Sequence, residues 1–141
     1  MFNRKKWLFL LILGDTYCVK IQTGPNGENG NNNGHLSVSI NDIPKKQGWF
    51  DVNKIVIDEC FAELYDISIK NNNDDAWKGT IIVTQNGEEV PLTCYNGCGG
   101  NAFDNEIVVD GNDDSTDQAS TYCLNGQLCN LKLSRKEGIN I

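Results

Sequence analysis

A single histidine stands among 141 residues, and its scarcity bears directly on which activities the chain can carry. His35 is the only imidazole available as a general base. A Ser-His-Asp site would need it beside an exposed nucleophile, yet Ser37 and Ser39 merely follow it along a strand pattern and no G-x-S-x-G elbow occurs. His35 therefore reads as a surface histidine at a strand end. No phosphate cradle is present either, because "GPNGENG" lacks both the lysine and the following helix that would give such a loop its purpose. The longest apolar run, Trp7–Leu13, is seven residues, far short of the ~20 that span a bilayer. No Asn is followed by x-Ser or x-Thr, so the N-glycan acceptor is missing, while Ser115, Thr116, Ser120 and Thr121 leave O-glycosylation open. No stretch carries a sustained 3.6-residue apolar stripe.

Charge is lopsided in the acidic direction, with nineteen Asp and Glu against twelve Lys and Arg, a net of −7. Setting aside Arg4, Lys5 and Lys6 leaves −10. Such a surface repels phosphate backbones, which argues against nucleic-acid binding. The same three cations precede Trp7–Leu13 and Gly14 in the layout of a secretory signal. Residues 1–14 are accordingly expected to be an apolar signal-like segment, either cleaved or retained as an assembly segment. Residues 15–133 are expected to form one domain, with 134–141 as a tail.

Six cysteines follow that segment, an even set of the kind an exported chain oxidises to three disulfides. The spacings Cys94-x3-Cys98 and Cys123-x5-Cys129 miss the C-x2-C knuckles of zinc sites. Connectivity does not follow from sequence alone, but the layout favours local closure. Cys123 and Cys129 bracket a turn at Asn125-Gly126, and Cys94 and Cys98 bracket "YNG". Cys18 is then left for Cys60, placed here at the start of the Tyr65 strand. That bridge closes the longest loop and is worth about 4 kcal/mol in the loop-entropy picture.

What the chain has in quantity is alternation. Tyr17-Val19-Ile21, Leu36-Val38-Ile40 and Tyr65-Ile67-Ile69 each interleave with polar neighbours, among them Asp66, Ser68 and Lys70, and a period of two marks half-buried strands. "DVNKIVID", "GTIIVTQ", "EEVPLTC", "NEIVVDG" and "STYCLNGQLCNLKL" continue the series. Between them lie clusters of Gly, Asn, Asp and Pro, namely "TGPNGENGNNNG", "NDIPKKQGW", "NNNDD", "QNGEE", "NGCGGN" and "DGNDDSTD". These are turn residues, since Gly and Asn accept positive φ and Asx side chains close local turns. The expected fold is an all-β antiparallel sandwich of seven to nine short strands, stapled by disulfides.

Two Asx-rich segments are candidate calcium sites. "DGNDDSTD" sets Asp110, Asn112 and Asp114 at alternate positions, the donor rhythm of a calcium loop. It is not an EF-hand, because Ser115 replaces the turn glycine and Thr121 the bidentate Glu. Asp74 and Asp75 of "NNNDD" form the second cluster. For both, an Asx turn satisfying its own backbone is the preferred account. The paired carboxylates Asp58-Glu59, Glu88-Glu89 and Asp113-Asp114 read as solvated loops, not as a glycosidase pair. Among the aromatics, Trp77 is either a core plug or a stacking platform, with the core preferred. Trp49 and Phe50 are adjacent in "GWF", so one of them must leave the core for a ligand, a membrane or another subunit.

The order "YCVKIQTG", a Gly/Asn-rich loop, "HLSVSIN" and "VNKIVIDECFAELYDISIKNNNDDAWKGTIIV" resembles that of PLAT/LH2 domains over about residues 17–84. Thr23-Gly24 and the Asn/Asp turn leading to Trp77 carry most of the likeness. The resemblance implies a β-sandwich with binding loops at one end, used for lipid, membrane or protein contact and in several members with calcium. The chain departs from that pattern in its cysteines, in an Asn-rich loop without the acidic ligand, and after Pro91. The expectation is a non-enzymatic, secreted structural or interaction module. Its partners would be copies of itself, as in a fibre or surface coat, or another extracellular protein. The alternative is calcium-assisted binding of carbohydrate or lipid, with calcium as the one candidate cofactor.

Overall fold

Alternate residues of the strand segments are buried to within a few per cent. Val19 and Ile21 lie inward, as do Leu36, Val38 and Ile40, Ile67 and Ile69, Ile81 and Val83, and Ile107 and Val109. Rows of this kind can be covered only by a second layer. In the computed structural model, which describes residues 14–25, 34–73, 76–96, 106–109 and 119–125, the strands form two five-stranded antiparallel sheets, and no described residue is helical. The first sheet runs β4 (Ile55–Phe61), β1 (Tyr17–Thr23), β6 (Trp77–Gln85). Beyond β6, β7 (Glu88–Val90) and β9 (Glu106–Val109) share its far edge. The second runs β3 (Ile43–Phe50), β2 (Gly34–Ile40), β5 (Ile67–Asn71), β10 (Ala119–Leu124), β8 (Leu92–Asn96). The result is an all-β, sandwich-like body.

Ten strands exceed the seven to nine expected, for two physical reasons. "EEVPLTC" is not one strand, because Pro91, which has no N–H for a ladder, separates β7 in one sheet from β8 in the other. "NDIPKKQGW", expected to be a turn, is mostly β3. An edge strand tolerates Pro44 and two lysines because only one of its sides is hydrogen-bonded. Its true turn is only Asn41-Asp42, both at positive φ (56° and 66°), which joins β2 to β3 as a two-residue hairpin. Asn86-Gly87 (φ 53° and 86°) does the same between β6 and β7.

Two further expectations are corrected. Cys60 is the penultimate residue of the Ile55 strand and does not open the Tyr65 one, which places it directly opposite Cys18 across the β1–β4 ladder. The two are joined in a disulfide. Their inward neighbours Val19 and Ile21 mark the opposite face, so the bond lies on the outside of the sheet. Cys94 and Cys123 are also disulfide-bonded, and the expected partners Cys98 and Cys129 lie outside the described residues. Asp66, placed on the wet face by alternation with Ile67, is 1 % exposed. Alternation starts only at Ile67, and Asp66 belongs to the preceding loop, where its carbonyl accepts the N–H of Asn41 at 3.0 Å. Segment 1–13, Ser115, Thr116 and the tail 134–141 lie outside the described residues.

Strand direction places the last residues of β1, β3, β5 and β9 and the first residues of β2, β4, β6 and β10 at one end of the body. Thr23 secures that end, its hydroxyl accepting from the Lys54 N–H at 2.8 Å and donating to the carbonyl of Asp51. Gly24 bridges further, donating to Lys78 and accepting from Asn53. Asn71, fully buried, links the two sheets by donating from Nδ2 to the Val109 carbonyl at 3.1 Å. Trp77 is buried beside it, its indole lying over Gly79. A Cβ at position 79 would overlap the Trp77 ring and the carbonyl oxygen of Gln22, both held by β6 and its neighbour β1. Gly79→Ala is therefore expected to destabilise by about 2–3 kcal/mol as an overpacked core site, read as a lower urea midpoint at unchanged slope.

Candidate functional site

The β2–β3 hairpin carries the most exposed large hydrophobic side chain among the described residues, and its register explains why. From the Asn41-Asp42 turn, Ile40 pairs with Ile43 and Ser39 with Pro44. A bulge then inserts one residue, so that Val38 meets Lys46, Ser37 meets Gln47 and His35 meets Trp49. Without the insertion His35 would face Gly48 and every later side chain of β3 would change sides. The bulge thus sends Trp49 outward and leaves Phe50 half-buried against the core. Trp49 is 64 % exposed. One face of its indole is covered by His35, whose ring lies 4.7 Å away at an interplanar angle of 13°, and the other is open.

Backbone and side chains around this pair are held. The Asn72 N–H donates to the His35 carbonyl at 2.8 Å, and its Nδ2 donates to the Ser37 hydroxyl at 3.0 Å. Beside the stack is a shallow recess of about 210 Å³ lined by Ser37, Ser39, Pro44, Lys46 and Gln47, with Val38 and Lys45 completing its walls. Lys45 is directed elsewhere. Its Nζ reaches Glu59 of β4 at 3.3 Å and sits 5.1 Å from the Phe61 ring, closing the side of the sandwich between β3 and β4. Both groups are substantially solvated, so the pair itself contributes little.

The other candidates fall in different places. Trp77 is 1 % exposed and offers no face to a ligand. Asp74, Asp75, Asp110, Asn112 and Asp114 lie outside the described residues. Their stems are adjacent, since Trp77 pairs with Val109 and the Asn71 amide reaches the Val109 carbonyl. The Asn73 N–H donates to Asn71 Oδ1 at 3.0 Å, the Asx turn that "NNNDD" implied. Among the described residues no group of three or more His, Cys, Asp or Glu side chains is arranged to hold a metal. No described helix is long and apolar enough to cross a membrane. The His35–Trp49 pair escaped the sequence reading. The signal was there, in a two-residue turn followed by an edge strand bearing proline and lysines, but reading "NDIPKKQGW" as a turn concealed the register.

No protein-family model, no curated protein and no solved structure matches the chain.

Beneath the outer face, Tyr122 fills the core of the second sheet at 2 % exposure. Burial pushes its phenol above the ordinary value of 10.0, an effect that the nearby Ser120 hydroxyl offsets in part. The folded state thus holds this proton more tightly than the unfolded chain does. Its contribution to stability is complete below pH 10.0 and is lost as pH rises through the folded value. Equilibrium unfolding between pH 9 and 12 is expected to show a steep alkaline loss in the wild type that is shallower in Tyr122→Phe.

Proposed function

We propose that the chain is a non-enzymatic, secreted contact module, a disulfide-bonded β-sandwich that works through an exposed surface. The observation that carries this reading is Trp49, an indole 64 % exposed and stacked flat on His35. Aromatic side chains of this kind anchor interfaces because they offer large area with little rotameric freedom to lose. The Cys18–Cys60 bond suits an oxidising compartment. The partner is extracellular, either another protein, a second copy of the chain, or a carbohydrate. β3 and β4 are both edge strands, and strand addition along such an edge is the route by which a module of this shape becomes a fibre or coat subunit. Purified wild-type protein is expected to be retained on surface or matrix material from its natural setting. Trp49→Ala should abolish that retention while changing stability by no more than about 0.5 kcal/mol, as for other surface substitutions. Equal retention of both would deprive Trp49 of this role.

A second reading, calcium-assisted binding of carbohydrate or lipid, is favoured by the adjacent stems of the two Asx-rich segments. The resemblance to PLAT/LH2 domains supports its lipid form. An ion that binds the folded state stabilises it by about 2.7 kcal/mol at a hundredfold excess over Kd and so raises the melting transition. Thermal melts in calcium and in chelator should then differ, and coincident transitions would discard the calcium version.

A further inference from the structure

The contact-module reading says that Trp49 touches something, and the surroundings of that indole specify what. We propose that the outer face of the β2–β3 hairpin binds a saccharide. Trp49 stacks on the apolar C–H face of one pyranose ring, and Ser37, Ser39 and Gln47 hydrogen-bond to hydroxyls of the neighbouring unit in the recess. The inference rests on the contact-module reading and names the ligand class for its exposed face.

Three observations converge on that class. The indole is fixed before any ligand arrives, pressed on His35 at 4.7 Å, while the His35 backbone is itself tied to Asn72 at 2.8 Å. Little ordering entropy remains to be lost on binding. Gln47 follows two residues before Trp49 on the same strand face, about 7 Å away, and pairs with Ser37 across the ladder. A ligand spanning that distance must present an apolar face at one end and hydroxyls at the other. A sugar chain has both. Hydrocarbon would leave the hydroxyls and amide of this face without partners, at a free-energy cost, which disfavours a lipid bilayer. The acidic net charge of −7 disfavours nucleic acid, whose bases would otherwise stack well. The recess, at about 210 Å³, is smaller than the roughly 300–1,000 Å³ of pockets for drug-sized ligands, and it fits a single sugar ring. Ser37 accepts from Asn72 Nδ2, which leaves its own O–H to donate to a ligand.

The test is affinity electrophoresis of the full chain in gels containing soluble polysaccharides, both neutral and uronic-acid-containing. Any polysaccharide that retards the protein is then titrated in solution by tryptophan fluorescence, with phosphatidylcholine vesicles as a parallel arm. At least one polysaccharide should bind, equally in calcium and in chelator. Trp49→Ala should weaken it by about tenfold or more, and Ser37→Ala with Ser39→Ala by several-fold, while Trp49→Phe, which keeps a stacking face, should stay within about threefold. Far-ultraviolet dichroism of each variant confirms the fold. The proposal is overturned if no polysaccharide binds, if Trp49→Ala binds as the wild type does, or if the vesicles bind in place of the polysaccharides. Loss of polysaccharide binding alone, with Trp49-dependent retention on native material intact, would remove the saccharide and keep the contact module. Indifference to Trp49 in both assays would remove both.

Discussion

Each sheet carries an inner row of branched aliphatic side chains that water cannot be allowed to reach, and the only cover available for one row is the other. Among the described residues, sixteen buried side chains, from Val19 to Tyr122, belong to that shared layer. Apolar area removed from water supplies roughly 25 cal/mol per Å², so losing the partner sheet would forfeit most of what orders the chain. The layer also dictates orientation everywhere else. Once Val38 must point inward, Ser37 and Ser39 must point outward, and a strand of period two has no third choice. Irregularities acquire meaning against this rule. A bulge in β4, where Val56 is inserted opposite the Ile21-Gln22 step of β1, sets Val56 and Ile57 both inside, and the bulge in β3 turns Trp49 out and Phe50 in.

The sides of a two-layer body need separate treatment, because a sheet edge exposes backbone donors and acceptors. On the β3–β4 side, proline, a bulge and two lysines interrupt the first edge, while Lys45 crosses to Glu59 and Phe61 on the second. Inward-leaning charge at an edge discourages a foreign strand more than it stabilises the native state. β4 is less defended over its length, with Ile55 half exposed. The asymmetry leaves the β4 edge more open along its backbone than the β3 edge.

Alternation alone made the two-layer β architecture legible, together with the buried identities of Val19, Ile21, Leu36, Val38, Ile40, Ile67 and Ile69. The Cys18–Cys60 pairing was legible by placing the other four cysteines locally, although the strand assigned to Cys60 was not the one it occupies. What escaped detection were features decided by neighbours. Pro44 reads as a breaker until it is known that its strand is paired on one side only. Asp66 reads as solvated until the loop above it closes through the side chain of Asn41, which donates to Glu63 and accepts from Tyr65. The His35–Trp49 stack needs a register shifted by one residue, and a bulge leaves no composition signal of its own. The glycine at 79 looked like a strand start, and its reason is the indole two residues earlier.

The bond between Cys18 and Cys60 bridges the outside of two neighbouring strands, on the face opposite the inward Val19 and Ile21. Assembly of the buried layer and oxidation of the thiols are thus separable in time. A chain held reduced can assemble both layers with β4 attached to β1 by its backbone ladder, and later oxidation fastens that last strand in place. The disulfide is then a fastening on the finished body and not a part of its buried layer.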